Sequence, residues 1–147
     1  MQRPIKMLMS GLASLLVIAC VAWLLLAAIG KAKDFAGATR PVAYWIGDGF
    51  AGTIGVLTIG IEVAIAAWLT VGYRRSLAIG SALALHVVFG LWLIFLAVAG
   101  PSVGCGCGKT GLSWFDVSDA RGGLWRISIL LGVLCMAWIG NRLGSAD

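Results

Sequence analysis

Two cysteines one residue apart, Cys105 and Cys107, stand among Gly104, Gly106 and Gly108, with Lys109 just behind them. Thiols at this spacing can exchange electrons or hold a soft metal. A disulfide wants Cα atoms about 4.4–6.8 Å apart, and residues i and i+2 reach that only where the chain bends. The glycines permit the bend, because no Cβ opposes a positive φ. The resulting ring is strained, and strained, exposed disulfides exchange rather than merely brace. Lys109, Arg121 and Arg126 are expected on the same face, where nearby cations favour the thiolate, the attacking species. The same sulfurs suit Cu(I) or Zn(II). Zinc wants four ligands, however, and this side of the chain offers two sulfurs and no histidine. Redox exchange is therefore preferred over metal binding, with a static structural clip as the alternative.

Glu62 is the second singular residue, a lone carboxyl group within an apolar run. Such a group is costly in a bilayer, so it faces the interior and finds a partner. Gly55, Thr58, Ala66 and Leu69 share its helical face, which is small and partly polar and so suits close helix packing. Glu62 is expected roughly 13 Å along its helix from the end nearer the cysteines, and His86 roughly 21 Å along the next one. That offset of about 8 Å disfavours a direct bond between them, whereas Lys31 and Arg126 start at the nearer end and can reach Glu62. A proton relay, a quinone-site residue and a register-fixing ion pair are all open roles for Glu62. His86, with Ala82 and Gly90 at four-residue spacing, reads as an interior histidine facing another helix; a haem site would ordinarily use two. Cys20 and Cys135 lie inside apolar runs, about 15 Å by helix rise from the end that carries the Cys-Gly-Cys box. Buried free cysteine behaves as a small apolar side chain.

These residues need apolar elements to position them. Of the 147 residues, 61% are hydrophobic and only 12% charged, against roughly 45–50% and 25% in soluble domains. A chain this short holds one domain and cannot hide so much apolar surface, so lipid must cover part of it. The net charge of +5 is scattered over helix ends rather than gathered in a stripe with interleaved aromatics, which excludes a nucleic-acid surface. From Met7 to Gly30 no residue is charged, enough to cross a hydrocarbon core of roughly 30 Å. Val17-Ile18-Ala19-Cys20 has the look of a lipoprotein cleavage box, but the run continues through Val21-Ala22-Trp23-Leu24-Leu25-Leu26, longer than a signal-peptide core. Four spans are expected, at about residues 8–30, 53–72, 76–100 and 123–140. A short interfacial helix is expected in the Lys31–Gly52 loop, where Phe35, Val42, Tyr44, Trp45 and Ile46 can lie at a membrane surface. The tryptophans read mainly as interfacial anchors and packing, with Trp125 and Trp138 near the two ends of the last span. The fold class is all-α, an integral membrane four-helix bundle.

Four spans put both termini on one side. Arg3, Lys6, Arg74, Arg75 and Arg142 flank that side, while Lys31, Lys33, Arg40, Lys109, Arg121 and Arg126 flank the other, so a raw count does not decide orientation. The short, doubly basic Arg74-Arg75 turn, with a minor contribution from Asp34, Asp48, Asp116 and Asp119 opposite, favours termini inside and the cysteine loop outside.

With these parts together the chain resembles the methylamine utilisation protein MauE family, within the broader DoxX-like four-helix membrane proteins. The resemblance rests on Ile29-Gly30-Lys31-Ala32-Lys33-Asp34-Phe35, Glu62, Tyr73-Arg74-Arg75, Cys105-Gly106-Cys107-Gly108, Arg121 and Arg126. It covers nearly the whole chain, and the cysteine box is its specific part. The chain departs from the family pattern at Gly108-Lys109, where an aromatic and a glycine are usual, and at Ile59-Gly60-Ile61, where a proline is common. The resemblance implies a multi-pass protein of the bacterial inner membrane that supports maturation of a disulfide-rich periplasmic client, the small (beta) subunit of methylamine dehydrogenase, together with a thioredoxin-like partner. The expected site is Cys105 and Cys107 as redox pair, Glu62 as proton relay or ion pair, and Lys109, Arg121 and Arg126 as thiolate stabilisers. No metal is expected. The alternatives are a non-catalytic assembly or transport factor and a quinone-binding DoxX-like subunit, quinone being the one cofactor in view.

Overall fold

The computed structural model describes the backbone of residues 2–99 and 120–144 and the side chains of residues 11–99 and 122–141. Among the described residues there are five helices and no strand: α1 (Gln2–Lys33), α2 (Phe35–Ile46), α3 (Asp48–Val71), α4 (Arg75–Ala99) and α5 (Ala120–Gly144). Four stretches have the length and apolar character to cross a membrane: Gly11–Lys33, Asp48–Val71, Arg75–Ala99 and Gly122–Asn141. The chain is an all-α, multi-pass membrane bundle whose apolar helices suit a lipid bilayer.

Helix α1 is central, packing against α3 on one side and α5 on the other, while α5 also packs along α4. The core is built at helical spacing: Val17, Cys20 and Leu24 of α1 meet Ile65, Ala66 and Leu69 of α3, Ala78, Ile79 and Ala82 of α4, and Leu130, Leu134 and Ala137 of α5. Lipid is as apolar as leucine, so burial alone does not draw these helices together. Close van der Waals packing does, and the alanines allow it. Opposite this seam, Leu15, Ile18, Val56, Leu57, Val88, Leu91, Ile129 and Ile139 point outward, as lipid-facing positions should.

The elements at the far end from α2 are tied by short polar contacts. Gly72 takes φ +75°, and Arg74 is left-handed at φ +47°. Trp68 Nε1 donates to Tyr73 O at 2.7 Å, and Arg75 reaches Ser14 Oγ of α1 at 3.4 Å. The turn of Tyr73-Arg74-Arg75 therefore lies beside the first part of α1, and antiparallel packing brings the end of α5 to the same side.

At the other end the chain differs from a plain four-span reading. A twelve-residue helix, α2, occupies the Lys31–Gly52 loop, and α3 begins at Asp48, five residues ahead of the expected Thr53. Gly47, at φ +109°, separates the two helices, and Asp48 in the first turn of α3 complements the positive end of the helix dipole. Helix α2 lies along α3 and reaches α4, where the rings of Trp45 and Phe95 are 5.0 Å apart in an edge-on contact.

Candidate functional site

Helices α3 and α4, joined by the tight turn, touch less than α1 and α3, α1 and α5, or α4 and α5 do. Toward the α2 end a cavity of about 340 Å³ opens, with walls from all five helices. Its apolar lining includes Trp23 of α1, Phe35 of α2, and Phe89 and Trp92 of α4. Its polar groups are few: Lys31, Thr39, Thr58, Glu62, His86 and Arg126.

Glu62 is 2% exposed. Its Oε1 accepts from Lys31 Nζ at 2.6 Å, and the same ammonium sits 5.2 Å from the centre of the Phe89 ring. Lys31 is near the end of α1, so its long stem carries the charge along the helix to the carboxylate. The other carboxylate oxygen, Oε2, is buried and has no hydrogen-bond partner among the described residues. An orphaned buried acceptor of this kind is uncommon and calls for a ligand or ordered water.

His86 is 4% exposed. Its Nδ1 lies 2.7 Å from Ala82 O. A carbonyl only accepts, so Nδ1 carries the proton of that bond and Nε2 is the nitrogen left over. Gly90 on the same face brings α4 close to α5: a Cβ there would stand 3.5 Å from Ile127. Glu62 bonds Lys31 and not His86, in keeping with the height difference between them. Both side chains nevertheless line one cavity.

Helix α2 is seated by residues at its start. Asp34 caps it, with Oδ1 accepting from Gly37 N at 3.1 Å. Thr39 Oγ1 donates to Phe35 O at 2.8 Å, which turns its methyl toward α3. Gly55 of α3 accepts this approach: a Cβ there would meet Thr39 Cγ2 at 2.5 Å and Phe35 Cε2 at 2.9 Å. Glycine is required because the α2–α3 contact occupies that space.

The expected site residues divide accordingly. Cys105, Cys107 and Lys109 lie outside the described residues. Arg121 falls in the first turn of α5 and its side chain lies outside the described residues; Arg126, one turn on, lines the cavity with Glu62. Cys20 is fully buried in the core and Cys135 is exposed on the apolar outside of α5, so these two thiols do not face one another. Among the described residues no group of three or more His, Cys, Asp or Glu is placed to hold a metal ion. Sequence reasoning missed the aromatic walls. Trp23 and Trp92 line the cavity, and the available signal was that Phe89 and Trp92 follow His86 at three-residue steps.

The family described as methylamine utilisation protein MauE matches residues 9–140 of the chain. No curated protein and no solved structure matches it.

Proposed function

The chain belongs to the methylamine utilisation protein MauE family, and on that premise we propose that it is a membrane thiol–disulfide protein supporting disulfide formation in a periplasmic client. The client is the small subunit of methylamine dehydrogenase or a protein of similar disulfide content. In the exchange, a client thiolate attacks the Cys105–Cys107 disulfide, and the second client thiol displaces the mixed disulfide. Two electrons and two protons pass to Cys105 and Cys107, and a thioredoxin-like partner takes them by the reverse exchange with its own disulfide. Both termini are cytoplasmic in this reading and the cysteine loop is periplasmic, where disulfides persist.

One observation carries the reading: the Cys105-Gly106-Cys107 box, flanked by glycines and followed by Lys109, falls within the family-matched region. Its geometry requirement and its cationic neighbours both favour exchange over a static link. Cys105→Ser and Cys107→Ser test it. Each is expected to leave the client's cysteines reduced in cells, measured by the gel shift of alkylated thiols, and one of the two should trap a mixed disulfide. Client disulfides that form fully in both variants would make the loop a structural clip. Labelling of Cys105 by a membrane-impermeant thiol reagent only in broken cells would reverse the orientation.

A further inference from the structure

The polar groups of the cavity do not match one another. Glu62 is 2% exposed, and among the described residues its Oε2 accepts from no donor. Lys31 is committed to the other oxygen, Oε1. Arg126 also lines the cavity, and among the described residues it makes no hydrogen bond or ion pair. His86 has given Nδ1 to Ala82 O, which leaves Nε2 as a further acceptor in the neutral ring. The lining therefore sets two cations against one carboxylate. It holds an acceptor that lacks a donor and a guanidinium that lacks an acceptor.

These demands sort the classes of ligand. An amine would add a third cation. A phosphodiester can pair with Arg126 but has no donor for Glu62 Oε2. An alcohol must serve Glu62 and Arg126 with a single oxygen. A protonated carboxylic acid meets both: its O–H donates to Oε2, and its second oxygen accepts from the fork of donors on Arg126. Two carboxyl groups joined through one proton form a stable contact, as in paired acidic sites. The rest of the wall is apolar, including Trp23, Phe89, Trp92 and Leu93. Val88, another lining residue, is 62% exposed on the outside of α4, so the cavity opens on the lipid-facing surface. Its volume of about 340 Å³ lies at the small end of ligand pockets, about 300–1,000 Å³. That suits a polar head whose tail stays in the bilayer.

We infer that this cavity binds the carboxyl end of a long-chain fatty acid dissolved in the membrane. The acid O–H donates to Glu62 Oε2, the other oxygen accepts from Arg126, and the alkyl chain leaves past Val88 into lipid. The inference stands on the cavity and needs no thiol chemistry, so it succeeds or fails apart from the role of Cys105 and Cys107. It has a consequence for selectivity: the site reads the head group and not the chain. The acid is preferred over the alcohol or the methyl ester of the same chain by about tenfold or more, the effect of one hydrogen bond to a charged partner.

The test is uptake of tritiated palmitic acid by the full-length protein in phosphatidylcholine nanodiscs, with empty nanodiscs giving the lipid background. One saturable site per protein is expected. Unlabelled palmitic acid should displace the label at least about tenfold more effectively than hexadecanol or methyl palmitate. In Arg126→Gln the preference for acid over alcohol should fall below about threefold, whereas Arg126→Lys keeps the charge and should stay above that. In Glu62→Gln the amide oxygen can stay on Lys31 and turn an N–H toward the ligand, so the ester should gain on the acid. A misfolded protein would bind none of the three, so retained binding with a changed preference separates lost recognition from lost fold. Where Arg126→Gln binds nothing, Arg126→Lys decides. Ala27→Phe fills the cavity and should abolish binding while the helical melting profile persists. Equal displacement by acid, alcohol and ester, an unchanged preference in Arg126→Gln, a preference lost in Arg126→Lys, or no saturable binding above empty nanodiscs would each overturn the assignment.

Discussion

Replacing Lys31 by methionine removes the one donor that Glu62 has among the described residues while nearly conserving volume. Glu62 keeps its burial, with its side chain only 3% exposed, and both oxygens become unpartnered. Removing one partner of a buried pair costs about 3–5 kcal/mol, and the insertion cost of an acidic group at the centre of a membrane helix is of similar size, about 2.5–3.5 kcal/mol. The reverse change is gentler. In Glu62→Gln the amide oxygen still accepts from Lys31, whose side chain is 13% exposed and remains over the Phe89 ring. The loss is the difference between a charged and a neutral acceptor, about 1 kcal/mol. In the double variant Lys31→Met/Glu62→Gln no buried charge is left, so it should be more stable than Lys31→Met alone, with a coupling of about 2 kcal/mol between the sites. Reversible unfolding in mixed micelles of increasing denaturing-detergent fraction, followed by circular dichroism, measures all four proteins. A Lys31→Met protein within about 1 kcal/mol of wild type, or single losses that simply add in the double variant, would refute the pair as a buried structural contact.

Two more predictions concern packing and access. Gly55→Ala should cost about 1–3 kcal/mol, because the new Cβ collides with Thr39 and Phe35. Thr39→Ser in that background removes the nearest methyl and should recover part of the loss. Gly60→Ala, whose Cβ meets nothing within 4 Å, should be neutral or mildly stabilising by helix propensity, about 0–1 kcal/mol; the same unfolding assay ranks all three. In single-cysteine proteins, Cys135 should react with a small apolar maleimide in detergent, while Cys20 should react at least about a hundredfold more slowly, since its exposure needs opening of the core. Equal rates would mean that the α1 seam is not packed as described.

Four spans were legible because charge is absent over lengths that fit a bilayer, and because charges and glycines mark where each span stops. Lys31 as a partner of Glu62 was also within reach: the only acid in an apolar run needs a cation, and helix rise limits which cation can arrive. Helix α2 was legible as a segment but not in its bounds, which depend on Asp34 as a cap and on the left-handed Gly47. Both are backbone events that hydropathy does not register. The cavity was not legible. Its walls come from all five helices, with α2 laid along α3 at one end. No local pattern encodes the space left between five helices. Cys135 illustrates the same limit, since an apolar helix presents apolar residues both to its neighbours and to lipid, and the sequence alone does not say which face is which.

The segment Ile29–Phe35 gains a physical meaning from these contacts. Gly30 O accepts from Asp34 N at 3.1 Å, so α1 closes its last turn onto the residue that caps α2. Lys31 crosses to Glu62, fixing the depth of α3 against α1. Asp34 starts the new helix through Gly37 N, and Phe35 fills the notch at Gly55. Four residues of this segment, Gly30, Lys31, Asp34 and Phe35, thus set the height of α3, the starting point of α2 and its contact with α3. Each is needed for the cavity beneath α2 to have its shape. A family motif that could be taken for a basic topology signal is here the joint of the site. Its first charge, Lys31, is directed inside the protein to Glu62. Orientation must therefore be argued without it. Removing Lys31 from the count leaves Arg3, Lys6, Arg74, Arg75 and Arg142 against Lys33, Arg40, Lys109, Arg121 and Arg126, and Arg126 too lines the cavity. Setting both aside leaves five cations on the side of the termini against four on the other, a balance that supports the proposed orientation with the termini in the cytoplasm.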